Sequence, residues 1–272
     1  MKRVHAVIAL AFSGGAFLLL RSPDAAGVHV PTTCPTGLPG SELVFVPGRS
    51  PFCIDAHEVK QSEYASFLQA AAQRAPAQSA TCAWNKRFEP IAYSRDSEAP
   101  LGACRAGIFD PATRGDYSMT CVDWCDAKAY CEWAGKRLCG GLAGRDETLD
   151  SYKDSAASEW QHACTNAGAS NYPYGSQYAA ARCNDAKVRS PDRKAGSRGN
   201  AQCRGTKPPF DRISDLAGGV YEWTSACDDK GRYCSIQGGY YGDEEPSCAS
   251  GGITYPRETR PDIGFRCCAD AK

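Results

Sequence analysis

The apolar positions of this chain fall in short runs. Leu43-Val44-Phe45-Val46 ends at Pro47-Gly48, and Phe52-Cys53-Ile54-Asp55 follows at once. Two four-residue runs around a Pro-Gly turn predict a hairpin of short strands. Over residues 62–74 the spacing changes. Tyr64, Phe67, Leu68 and Ala71 recur on one helical face, with Ser62 as the candidate cap. Residues 122–135 repeat the pattern. Trp124, Ala127, Cys131 and Ala134 make the apolar stripe, Asp123 is placed to cap it, and Gly135 is placed to stop it. A third helix is predicted over 155–164, with Trp160 and Ala163 inward. Tyr172-Pro173-Tyr174-Gly175 reads as a tight aromatic turn. From Ile213 onward the pattern shortens again. Aromatic and β-branched residues lie between the pairs Gly218-Gly219 and Gly238-Gly239, which predicts short strands joined by sharp turns. Residues 76–120, 140–154 and 182–210 lack periodicity and read as loops, with 140–154 a surface insertion. No repeat or linker divides the chain. One domain is expected over 43–272, after an extended lead-in over 27–42.

Composition narrows the class. Hydrophobic residues are 42% of the 272 and charged residues 23%, which suits a globular core. A formal net charge of zero argues against nucleic acid as the partner. Sixteen cysteines point to an oxidising compartment. The start agrees: Met1-Lys2-Arg3 precedes an apolar run from Ala6 to Leu20, and Ala25-Ala26 supplies small residues for cleavage. Residues 1–26 read as a secretory signal peptide, with an uncleaved anchor as the alternative, and the protein is expected to be exported. No later stretch is long and apolar enough to span a bilayer.

The cysteines are the main chemical candidates. Nearness in sequence pairs Cys34 with Cys53, Cys82 with Cys104, Cys183 with Cys203, and Cys227 with Cys234. Cys121, Cys125 and Cys131 have spacing compatible with zinc, but an exported chain favours disulfides there. The four histidines show no ligand spacing, and His57 and His162 read as ordinary polar contacts. Asp243-Glu244-Glu245 reads as a solvated acidic loop.

Several segments, taken in order, resemble the formylglycine-generating enzyme, or sulfatase-modifying factor, family. They are Phe52-Cys53-Ile54-Asp55 with Glu58-Val59, Val122-Asp123-Trp124, Ala129-Tyr130-Cys131-Glu132-Trp133-Ala134-Gly135-Lys136-Arg137-Leu138, Glu159-Trp160 with Cys164, and Tyr172-Pro173-Tyr174-Gly175. Asp215-Leu216-Ala217-Gly218-Gly219-Val220-Tyr221-Glu222-Trp223, Gly238-Gly239 and Gly264-Phe265-Arg266-Cys267 complete the set. The resemblance implies an α+β, variant C-type-lectin-like fold with much irregular backbone, rich in disulfides. This chain looks like a cysteine-rich exported branch, with Arg-Leu-Cys-Gly and Gly-Phe-Arg-Cys-Cys variants at Arg137 and Gly264. It implies the pairs Cys131–Cys267 and Cys164–Cys248. It also implies calcium, at Glu222 and the Val220 carbonyl, and again at Asn184 with the Asp185 carbonyl. A side-chain oxygen is already missing, because Gly219 replaces the family's asparagine.

The family's enzymes oxidise a substrate cysteine to formylglycine with molecular oxygen, using two close cysteines and copper held by their thiolates. Soft thiolates select Cu(I). Here Tyr240 stands where serine should follow the glycine pair, and Asp243 stands at the first redox cysteine. Counting from Gly239 puts Cys248 at the second redox position. Counting back from Gly264-Phe265-Arg266-Cys267 makes it the structural partner of Cys164, the assignment preferred here. Three readings follow. The first is a non-catalytic scaffold that binds a protein, peptide or glycan. The second is an oxygen-dependent oxidase working through Cys248 and copper. The third is a structural component of the cell envelope.

Overall fold

The computed structural model describes residues 31–74, 76–90, 104, 108–187 and 202–272. The expected signal peptide and the first residues of the lead-in lie outside them. Among the described residues there are two four-stranded sheets and four α-helices.

The first sheet gathers both ends of the domain. Strand β1 (Leu43–Val46) pairs antiparallel with β2 (Phe52–Asp55), as the two apolar runs require. Strand β2 then pairs with the C-terminal β8 (Cys267–Asp270), with Ile54 opposite Cys268. The two-residue β3 (Arg137–Leu138) closes the other flank of β8, with Leu138 opposite Cys267. The second sheet has the order β6-β5-β4-β7. Strand β4 (Tyr221–Cys227) lies antiparallel to β5 (Cys234–Gln237) and parallel to β7 (Ile263–Phe265). Strand β6 (Gly251–Thr254) is its outer edge.

The helices obey local chemistry. Helix α1 spans Gln61–Gln73, and its cap is Lys60 rather than Ser62. The Glu63 carboxylate accepts from the Lys60 N–H at 2.8 Å, whereas the Ser62 hydroxyl donates to the Gly115 carbonyl. A short helix, α2, covers Pro111–Arg114 within the stretch read as loop. Helix α3 (Trp124–Trp133) is capped by Asp123, whose Oδ1 accepts from the Asp126 N–H while the Asp126 carboxylate accepts from the Asp123 N–H. It stops at Gly135, whose φ of +69° suits a residue without a side chain. Helix α4 (Glu159–Cys164) begins later than the sequence pattern suggests, because the Ser158 hydroxyl caps it. Between α1 and α3, Tyr64, Phe67, Tyr130 and Phe265 are all fully buried and their rings meet edge-on or stacked. Tyr172 and Gly175 bond each other in both directions, closing the aromatic turn.

All sixteen cysteines are paired. The structure contains Cys34–Cys53, Cys131–Cys267, Cys164–Cys248, Cys183–Cys203 and Cys227–Cys234. The expected Cys82–Cys104 bond is replaced by Cys82–Cys125 and Cys104–Cys121. The reason is packing. The turn carrying Cys82 lies against α3, where Asn85 donates to the Asp126 carboxylate at 2.7 Å. Cys82 therefore meets Cys125, and Cys104 is left to Cys121. The eighth pair, Cys139–Cys268, locks β3 to β8.

Candidate functional site

The segment where the family's chemistry would sit is built on two glycine turns. Gly218, Gly219, Gly238 and Gly239 all have positive φ. The turns are knitted together: the Gly218 N–H donates to the Gly238 carbonyl, and the Tyr241 N–H to that of Gly219. A side chain at Gly218 would collide with the Asn184 carbonyl, only 2.3 Å from an added Cβ, so close backbone approach as well as φ demands glycine.

Aromatic rings fill the space over these turns. Tyr221 and Tyr240 stack with centroids 5.3 Å apart, and Tyr241 meets Tyr240 edge-on. Asp243 Oδ2 accepts from the Tyr221 hydroxyl and the Tyr240 N–H, both at 3.2 Å. Burial and the Asp243 charge together push the Tyr221 hydroxyl pKa up. The acidic loop then turns outward, with Glu245 on Lys187 at 2.8 Å. Beneath the turns Glu222 and Arg266 are buried together. The guanidinium bonds both Glu222 oxygens at 2.7 Å, and the Trp160 indole donates to the same carboxylate at 2.8 Å. Arg266 also donates to the carbonyls of Asp55 and Ser214. Beside them Glu58 accepts from the Ser118 hydroxyl. Burial, then the Asp215 and Glu222 charges, hold the Glu58 carboxyl well above the usual range.

Copper and calcium can be tested against these residues. Copper needs thiolates, and every sulfur near the turns is in a disulfide; Cys248 is bonded to Cys164 at 2.03 Å. Calcium needs about six to eight oxygens. Glu222 spends both of its own on a cation, Arg266. The Asp185 carboxylate accepts from Tyr178 and from the Lys187 N–H, and the Asn184 carbonyl accepts from the Gly219 N–H. Of the residues that the resemblance offers to calcium, Asn184, Asp185, Val220 and Glu222, the last thus has its carboxylate on Arg266. Among the described residues no cluster of three metal-binding side chains occurs. His57 and His162 each bond a backbone carbonyl, of Glu58 and Ser155. Cys121, Cys125 and Cys131, once compatible with zinc, go to three different disulfide partners.

The sulfatase-modifying factor enzyme 1-like domain matches residues 45–271 of this sequence. The chain belongs to that family. It is 26% identical over 273 aligned positions to the inactive C-alpha-formylglycine-generating enzyme 2 of Bos taurus, covering 88% of this chain and 84% of that one. It is 25% identical over 197 positions to the formylglycine-generating enzyme of Thermomonospora curvata, a match spanning 64% of this chain and 59% of the relative. Many solved structures share the fold, and two serve as examples. They are CarF (TM-score 0.51, 17% identity, 86% of this chain and 97% of that one) and PvdO from Pseudomonas aeruginosa (TM-score 0.53, 19%, 85% and 91%).

Two clefts of this family member lie away from the glycine turns and were not legible as sites in the sequence. The larger, about 880 Å³, is walled by Trp84, Trp124, Tyr233, Tyr255 and Arg257. Arg257 stacks on Trp84 at 4.5 Å, and Tyr255 is 61% exposed beside Tyr233. The disulfide Cys227–Cys234 holds the turn at its rim, where Asp228 accepts from the Arg232 side chain. The second cleft shares Trp124, Ser225 and Cys227 and runs toward residues 140–147. These residues are not merely a surface insertion. Leu142 and Glu147 are buried. The sequence signal for the larger cleft is its aromatic content, scattered over four segments that the fold brings together.

Proposed function

We propose that this chain is a family member without formylglycine-generating activity that serves as an exported, disulfide-stapled scaffold binding a protein, peptide or glycan. The observation that supports it is the fate of the redox positions. Asp243 stands at the first as a hydrogen-bonded carboxylate, the Tyr240 ring stacks beside it in place of the family's serine, and Cys248 is held by Cys164. No thiolate remains to hold copper or to attack a substrate. The frame around the site is nonetheless kept, with Glu222, Arg266 and the glycine turns in place. The joined aromatic clefts offer the concave, mixed polar and apolar surface that ligands favour. Eight disulfides suit an exported protein. No described helix is long and apolar enough to cross a membrane.

The test is direct. The oxidised chain, supplied with copper and oxygen, is incubated with a Cys-x-Pro-x-Arg peptide and followed by mass spectrometry. No conversion of cysteine to aldehyde is expected. Turnover would restore the oxidase reading through Cys248.

A further inference from the structure

Glu147 stands in the wall of the second cleft, a cavity of about 410 Å³. It is 94% buried by the 6% exposure of the residue, its Oε1 has no close hydrogen-bond partner among the described residues, and the groups that favour its charged form, the Ser158 and Thr224 hydroxyls and the Ala226 backbone, are all neutral. Its other oxygen sits 3.5 Å from the Ser225 hydroxyl. A buried carboxylate is costly unless a cation meets it. The cations around this cavity are engaged elsewhere. Lys128 pairs with Glu132, Arg137 holds Glu159 and Asp270, and Arg145 donates to the Leu142 carbonyl. The neighbouring charge that acts on Glu147 is the negative one of Glu159. The walls leave room for a long guest. Gly140, Gly141 and Gly144 line the cavity, and Trp124 presents an indole to it.

We propose that this cavity receives the basic side chain of a peptide or protein partner, with Glu147 as the carboxylate that meets its cation. The chemistry is complementary at each point. A lysine or arginine stem is apolar and suits the glycine and tryptophan walls. Its charged end supplies the positive charge that Glu147's neutral hydrogen-bond partners do not. An indole beside the path adds attraction for the cation. Recognition of this kind gives the scaffold reading its ligand class and rests on that reading.

Calorimetry of the full chain tests it with N-acetyl-arginine amide against the uncharged N-acetyl-citrulline amide at pH 7.5. Saturable binding of the arginine probe is expected, with citrulline at least tenfold weaker. Glu147→Gln should weaken the arginine probe at least tenfold. Equal binding of the two probes, unchanged binding by Glu147→Gln, or no binding of the arginine probe to the wild type overturns the assignment. A second measurement needs no variant. Glu147 holds its proton up to about pH 7 in the empty fold, through burial. The groups facing it are Glu159 on α4, Arg137 on β3, Lys128 and Glu132 on α3, and Arg145 and Asp146 beside it in the chain. Binding a cation must release that proton below pH 7, so affinity should fall about a hundredfold from pH 8 to pH 5. A flat profile is the contrary result. Guanidinium chloride is the last arm: if it binds as tightly as the arginine probe, the site serves free small cations and the peptide assignment fails. Loss of probe binding in a chain that also leaves Cys-x-Pro-x-Arg peptide unconverted sinks this inference alone. Conversion of that peptide would instead overturn the non-catalytic reading itself.

Discussion

Glu222 and Arg266 are both fully buried, and each is the other's main partner. A buried ion pair of this kind adds little net stability, but removing half of it leaves a desolvated charge. Glu222→Gln should therefore lower the unfolding free energy by about 3–5 kcal/mol, measured by urea titration. Replacing both residues, as Glu222→Leu with Arg266→Met, should lose clearly less. A double variant as unstable as the single one would mean the pair is net stabilising. Glu147 gives a pH effect of opposite character. Its pKa is pushed from the ordinary 4.5 up to about 7 in the fold, so the folded chain holds a proton that the unfolded chain releases. Its cost is absent below pH 4.5, grows as pH rises from 4.5 to 7, and is then constant. The stability difference between Glu147→Gln and wild type should grow in the variant's favour across that window, by up to about 3 kcal/mol. Thermal melts at pH 4, 6 and 8 check the sign. Neither residue's surroundings were readable from the chain. The resemblance offers Glu222 to calcium and says nothing of Arg266, and Glu147 lies in a stretch without periodicity.

At the scale of elements, α3 was the most legible. Its stripe, its Asp123 cap and its Gly135 stop all come from residues within fourteen positions of one another, so spacing alone reveals them. Asp123→Ala removes the acceptor for the Asp126 N–H and should cost about 1 kcal/mol by chemical denaturation. Helices α1 and α4 were legible in kind but not in their first residues. The competing caps, Lys60 with Glu63 and Ser158, are also polar residues with the right chemistry, and only backbone geometry chooses among them. Strand β3 was invisible because two residues carry no period. Its partner β8 lies 129 residues away at the shared disulfide Cys139–Cys268. The extra cysteines after Arg137-Leu138 and Arg266-Cys267 were the available signal. Cys139→Ala with Cys268→Ala should lower stability by about 2–4 kcal/mol, and differential scanning calorimetry should show the loss.

For the whole molecule, disulfides set the constraint. Cys131–Cys267 closes a loop of 136 residues, which in the chain-entropy account is worth on the order of 5 kcal/mol. A non-reducing peptide map should recover Cys82–Cys125 and Cys104–Cys121, and thiol titration of the unfolded, unreduced chain should find no free sulfur. Finding Cys82 joined to Cys104 would contradict the packing of the Cys82 turn on α3. The sequence by itself determined the family, the three main helices, the β1–β2 hairpin and the presence of Tyr240 and Asp243 after the second glycine pair. Each of these is a local pattern or an ordered set of local motifs. The tertiary structure alone decided which cysteines of the middle segment meet, that Glu222 faces the Arg266 guanidinium, and that two clefts converge on Trp124. These depend on contacts between residues far apart in the chain, where side-chain type sets what can pair but only packing sets what does.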